Sequence, residues 1–202
     1  NYDIYGLTNF QYLFIHDKFH GDMQYDTSQI NIIGIDIETD SSDGFPNIEK
    51  ADKEVTAITL SRKGEKVVLG MKDYNPAEGV HYIKCKDEWH LLSNFLKIWQ
   101  SGRYQPDIVT GWNIEFFDIP YLVNRIKGIL GDHEAKKLSP WGFLEERTIE
   151  IHGRNNQTFT PAGINVLDYL NLYKKFKFEM QESYKLDNIA EKELGIKKLD
   201  YS

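Results

Sequence analysis

The stretch INIIGIDIETDSSDGF, Ile30–Phe45, decides how this chain folds. Its first half is the most apolar segment of the sequence, and Asp36 and Glu38 interrupt it. A strand alternates faces with period two, so these acids share one face while Ile35 and Ile37 share the other. A carboxylate buried without a partner is costly, and two like charges side by side compound the cost. Such a pair has three stable solutions. One acid is protonated, with a raised pKa. A cationic side chain neutralises them. Or a divalent metal, well served by oxygen ligands, turns the repulsion into a binding site.

The flanking sequence reads as alternating elements. After the polar loop DSSDGFPNIEKADKE come two β-rich runs, VTAITLSR and EKVVLGM, joined by KG. With the first strand they predict a meander of three antiparallel strands. DEWHLLSNFLKIWQ has Trp89, Leu92, Phe95, Leu96 and Trp99 at helical spacing, with Asp87 as N-cap. PDIVTGWN reads as a short strand bounded by Pro106. DIPYLVNRIKGILG reads as a helix with Pro120 in its first turn and Gly131 near its end. The alternation about GRNN predicts a hairpin over 147–160. INVLDYLNLYKKF reads as a strand or the opening of a helix. SYKLDNIAEKELG reads as a helix capped by Ser183 and stopped by Gly195. The expected fold is α/β: a mixed β-sheet flanked by helices, with an inserted β-hairpin and a site near strand ends.

The chain has 202 residues and 41% hydrophobic content, enough for one domain with a real core. Residues 30–202 are expected to form it, with 1–29 as an arm or part of a neighbouring domain, in which NFQYLFIH reads as a strand. The chain begins at Asn1 without Met and ends in KKLDYS, so a piece of a longer protein is expected. No run has the length and apolarity of a membrane span, and no signal peptide is evident. The single Cys85 excludes an internal disulfide and fits a reducing compartment such as the cytoplasm. The NQT sequon at Asn156 is then chance. A monomer is the default expectation. Walker, GxGxxG, GxSxG and CxxC motifs are lacking. His16 and His20 have the i, i+4 spacing of helical metal ligands, but their segment lacks a helical pattern, so surface histidines are expected. The net charge of −7 argues against a nucleic-acid binder, which is usually basic.

The best third acid is Asp118, in GWNIEFFDIPYL at a strand–helix join, where helix capping is the plainer role. Asp168, in NVLDYL, is a second candidate; Asp40 and Asp43 read as loop solvation. Three or four converging acids can hold two metals about 3.5–4 Å apart, which clamp the attacking and leaving oxygens of a phosphodiester.

Together these motifs resemble the 3′→5′ proofreading exonuclease domain of a family B DNA polymerase of the T-even-phage type. DIET, Asp36–Thr39, resembles the first exonuclease motif, D-x-E. GWNIEFFDIPYL resembles the second, with Asn113, Phe117 and Asp118 in the matching places. PDIVTGWNIEFFDIPYLVNRIKGILG, LDYLNLYKKFKF and YDIYG extend the resemblance over nearly the whole chain. It implies a ribonuclease H-like fold and a cofactor set of two divalent ions, Mg²⁺ or Mn²⁺. Asp36 and Glu38 would ligate them, Asp36 bridging both, and Asp118 would hold the second through water. Thr39, Asn113 and Phe117 would hold the frayed single-stranded 3′ end of a primer. The plainer role for Phe116 and Phe117 is core, for at least one of the two. Lys198 with Tyr201 resembles the K-x-x-hydrophobic element whose Lys assists near the scissile phosphate. The hairpin corresponds to the one that helps separate the primer strand. The remaining polymerase domains are the implied partners.

One departure matters. The third motif, Y-x-x-x-D, is not found; YKLDNIA has the spacing Y-x-x-D. A metal ligand and a catalytic Tyr are then missing, and weak or no activity is expected. The acidic charge is accounted for if the acids accept phosphate only with their metals. In YKKFKF, Tyr173–Phe178, a helix with a solvated Lys face and a buried aromatic face is expected over a single-strand track. The alternatives are a stand-alone DEDD-type exonuclease, an inactive scaffold, and a metal-dependent module that binds 3′ ends without cutting them.

Overall fold

Strand β1 (Ile32–Thr39) buries Ile33, Ile35 and Ile37 and leaves Asp36 and Glu38 exposed on its opposite face. The acids share a face as the alternation requires. That face, however, is open rather than part of the core that the apolar run suggests. The computed structural model describes residues 10–21, 24, 26–151 and 153–197.

The expected meander is present: β1 pairs antiparallel with β2 (Val55–Arg62), and β2 with β3 (Glu65–Gly70). A further strand, β4 (Val80–Lys84), runs parallel to β3. It is short and follows a Pro- and Gly-containing crossover, so its sequence carries little periodic signal. On the other edge of β1 lies β5 (Ile108–Gly111), parallel to it. β6 (Leu144–Ile151) and β7 (Arg154–Pro161) form the expected hairpin as a separate two-stranded sheet. β8 (Asn165–Asp168) pairs parallel with β5, giving a six-stranded mixed sheet of order β4-β3-β2-β1-β5-β8. This is the ribonuclease H-like arrangement.

α1 (Phe10–Lys18) precedes the sheet, α2 (Glu88–Trp99) follows β4, and α3 (Asp118–Ile129) follows β5. α4 (Asp132–Ala135) comes next, α5 (Tyr169–Phe176) continues from β8, and α6 (Leu186–Leu194) is the last. α2, α3 and α6 form where the spacing predicts helices. Asp87 caps α2 by accepting the His90 N–H at 2.9 Å. Leu91, Leu92, Phe95, Leu96 and Trp99 of α2 join Tyr121, Leu122, Val123 and Ile126 of α3 in the core beneath the sheet, while Trp89 is exposed. Gly195 ends α6 in the left-handed conformation, φ 67°.

Three expectations are corrected. NFQYLFIH is not a strand: α1 covers most of it, and the exposed rings of His16 and His20 lie 6.5 Å apart. Its side chains from Tyr12 on are exposed, and local helical hydrogen bonds satisfy a backbone that pairs with no sheet. The N-cap of α6 is Lys185, not Ser183, whose hydroxyl accepts the Lys185 N–H at 3.3 Å. YKKFKF does not bury its phenylalanines, because Phe176 and Phe178 are both exposed.

One buried ion pair binds the layers. Arg125 of α3 donates Nε and Nη2 to the two carboxylate oxygens of Glu88 on α2, at 2.7 and 2.6 Å. Glu88 also accepts the Val55 N–H at 2.7 Å, and Arg125 Nη1 donates to the Ala51 carbonyl at 2.8 Å. Removing one partner leaves a buried charge exposed to no counter-ion. Arg125→Met is therefore expected to cost about 3–5 kcal/mol, read by chemical denaturation at pH 7.

Candidate active site

β1 outruns its parallel neighbour. Pairing with β5 covers Ile32–Gly34, and the chain leaves β5 after Gly111. It turns through residues 112–117 and returns as α3, whose first residue reaches the β1 edge. There Asp118 Oδ1 accepts the Ile37 N–H at 3.0 Å. The helix itself gains no cap from this acid: its N-cap position is Phe117, without a side-chain cap bond. The plainer expectation for Asp118, helix capping, is thus corrected. It completes a strand edge instead.

The turn is held from two sides. A Cβ at Gly111 would lie 2.5 Å from the Ile35 carbonyl oxygen and 2.5 Å from Ile114 Cγ2, so only glycine lets the chain leave so close to β1. Asn113 adopts φ 63°, a left-handed conformation that asparagine tolerates. The buried Asp168 Oδ1 accepts the Asn113 and Leu170 N–H groups at 3.0 and 2.9 Å, and its Oδ2 accepts that of Glu115 at 3.0 Å. Both oxygens of the second candidate acid thus anchor backbone. Gly111→Ala should push the turn off β1, costing roughly 1–3 kcal/mol, and lower the thermal midpoint measured by circular dichroism.

Asp36 and Glu38 line a cleft of about 460 Å³ together with Leu186, Asp187 and Ala190 of α6, Ile196 and Lys197. From the sequence, Asp187 stands beside Asp168 only as a substitute fourth ligand, should the chain alone prove fully active. Its approach to the β1 acids depends on how α6 lies over the sheet, which no local pattern encodes. Asp118 is only 3% exposed. Burial first, and then the charge of Asp36, push its carboxyl from the ordinary 3.8 up to about 7, against the Ile37 hydrogen bond. Asp36 and Asp118 thus feel each other across the strand.

Phe117 is half-buried, stacked on Tyr121 and tilted against Phe45, each with centroids 5.7 Å apart. Phe45 is 82% exposed. It was not anticipated; a lone aromatic between Gly44 and Pro46 in a polar loop was the available signal. Phe116 is half-buried too, so neither phenylalanine is fully core. Thr39 lies at the end of β1, past a register shift after Glu38. Asn113 lies in the turn. Lys198 and Tyr201 lie outside the described residues.

The donor chemistry fits a hard divalent ion: carboxylate oxygens, with Asp118 disfavoured as an anion by burial and by a neighbouring acid. Among the described residues, however, no three His, Cys, Asp or Glu side chains form a group that could hold a metal ion. Asp36 and Glu38 face the cleft, whereas Asp118 is buried at the strand edge.

Fold and site define a ribonuclease H-like α/β domain with an acid-lined cleft at the end of its first strand. Residues 8–189 match the family described as DNA polymerase family B, exonuclease domain, and the chain belongs to that family. It is 34% identical over 97% of its length to a DNA-directed DNA polymerase of Escherichia phage RB69 and 31% identical over 97% to that of Enterobacteria phage T4. It is 27% identical over 93% to a DNA polymerase catalytic subunit of Alcelaphine herpesvirus 1. The chain spans 25% of the length of each phage relative and 19% of the herpesvirus one. Among the described residues no helix is long and apolar enough to cross a membrane.

The raised pKa of Asp118 has a sign that can be tested. The folded protein holds this proton more tightly than the unfolded chain does. The stability it contributes is complete below the ordinary 3.8 and is lost as pH rises through about 7. Asp118→Asn keeps an oxygen for Ile37 without the charge. It should stabilise the metal-free protein by at least about 1 kcal/mol at pH 8 and leave stability at pH 4 nearly unchanged, as denaturation at the two pH values would show.

Proposed function

We propose that this domain removes mismatched 3′-terminal nucleotides from DNA, as a 3′→5′ proofreading exonuclease. The observation that carries the reading is Asp118, an acid raised by burial and then by Asp36, and brought to the β1 edge within a chain of this family. Asp36, Glu38 and Asp118 would hold two divalent ions, Mg²⁺ or Mn²⁺. When bound, these supply activation of water and neutralisation of phosphate charge.

The chain's own residues do the remaining work. Phe117 and Phe45 offer aromatic faces on which a terminal base stacks without regard to sequence. Asn113 and Thr39 hold the sugar and phosphate of the frayed end. Lys198 donates to the scissile phosphate. Water adds to the terminal phosphorus, the bond to the 3′ oxygen of the penultimate nucleotide breaks, and that oxygen takes a proton. A nucleoside 5′-monophosphate leaves. The hairpin of β6 and β7 keeps the primer strand apart from its template.

In a longer polymerase, residues 1–29 would pack against a neighbouring domain and 30–202 would form the exonuclease unit. The exposed Tyr12, Leu13, Phe14 and Phe19 support such packing. The 202 residues contain no Tyr-x-x-x-Asp, so they supply three of the four acids that this chemistry uses. The chain by itself is therefore expected to bind Mg²⁺ or Mn²⁺ weakly and to turn over slowly. A second reading follows from the same observation: with no group of three ligands closed among the described residues, the chain acts as an ion-dependent binder of 3′ ends.

A single-turnover digestion of a labelled single-stranded oligonucleotide with Mn²⁺ separates the two. A version of the chain extended to include a Tyr-x-x-x-Asp should release mononucleotides at least about 100-fold faster than the chain itself, and Asp36→Ala should abolish release. Full activity in the 202 residues would show that the missing ligand is already present, with Asp187 the first residue to test. Ion-dependent binding without release in either version would favour the second reading.

A further inference from the structure

The loop that carries Phe45 is bound to α3 by three side chains. Tyr121 donates its hydroxyl to the Lys53 carbonyl at 2.7 Å and accepts the Lys53 N–H at 2.9 Å. Arg125 donates to the Ala51 carbonyl, where the backbone has the left-handed φ of 44°. Asn124 donates from Nδ2 to the Ile48 carbonyl at 3.0 Å. Its second Nδ2 hydrogen goes elsewhere, to Oε1 of Gln157 on the hairpin at 2.8 Å. Gln157 in turn donates Nε2 to Glu146 Oε1 on the facing hairpin strand at 2.7 Å. One carboxamide therefore joins two segments that make no strand pairing with each other.

We propose that Asn124 is a positioning residue that fixes the hairpin relative to the Phe45–Phe117 platform. This rests on the exonuclease reading of those two parts. The chemistry selects asparagine. Only a primary amide offers two diverging donors on so short a side chain, and both acceptors here are oxygens. An aspartate of the same shape would set a carboxylate against the Ile48 carbonyl and the Gln157 oxygen. Gln157 could turn its amide round to donate to it, but would then lose Glu146. The consequence is specific to substrate. A single strand needs only the platform. A mispaired duplex end needs the hairpin to part the strands at the place where the platform receives the freed base.

Two variants test this, Asn124→Asp and Gln157→Ala, the second on the hairpin and remote from the core. Amide hydrogen exchange over residues 48–53 should accelerate about tenfold in each, as expected for one lost tether, and no further in the double variant. Unchanged exchange in Gln157→Ala would overturn the coupling. In digestion assays on the version extended to include a Tyr-x-x-x-Asp, both variants should lose about tenfold on a mispaired duplex end and little on a single strand; equal losses on both substrates would also overturn it. Should the version extended to include a Tyr-x-x-x-Asp cut neither substrate, the exonuclease reading fails, and the exchange experiment still decides whether the hairpin and loop are joined through Asn124.

Discussion

The hydrogen bond from the Ile37 N–H to the Asp118 carboxyl ties the start of α3 to the edge of β1. It spans two elements that the sequence separates widely, and it places an acid in a spot where burial and Asp36 both oppose its charge. For metal-free folding a neutral side chain would serve the strand edge better. On the proposed exonuclease reading, the unfavourable acid would be retained for the cation it helps to hold, a common trade between stability and function.

Much of the remaining structure serves to deliver that acid. Gly111 permits the chain to leave β5 beside β1, Asp168 anchors the turn by two backbone N–H groups, and the Glu88–Arg125 pair fastens α3 to α2 and β2. The same helix presents Phe117 and Tyr121 to the Phe45 loop one turn apart. α3 thus carries the buried acid, starts beside the Phe117 ring and reaches the hairpin through Asn124.

The sequence made part of this legible. Alternation in β1 assigns Asp36 and Glu38 a common face, and helical spacing marks α2 and α3, because those patterns reflect burial on one side. What it could not carry depends on contacts made at a distance. α1 reads as a strand because its aromatics imply burial, yet the side chains described from Tyr12 on are exposed. β4 has too few residues to show a period. The role of Asp118 at the β1 edge, of Asp168 as a backbone anchor and of Asn124 as a bridge exist only once the turn after β5 is formed. Phe45 gains meaning from the ring of Phe117, which lies far from it in sequence.

The most direct measurement is a carbon-13 NMR titration of the Asp118 carboxyl in the metal-free protein, repeated in Asp36→Asn and with saturating Mg²⁺. If the acids of β1 and α3 act as one cation site, Asp118 titrates near 7, titrates lower when Asp36 is neutral, and stays ionised to lower pH with Mg²⁺. A titration in the ordinary carboxylate range that neither Asp36→Asn nor Mg²⁺ moves would contradict the account.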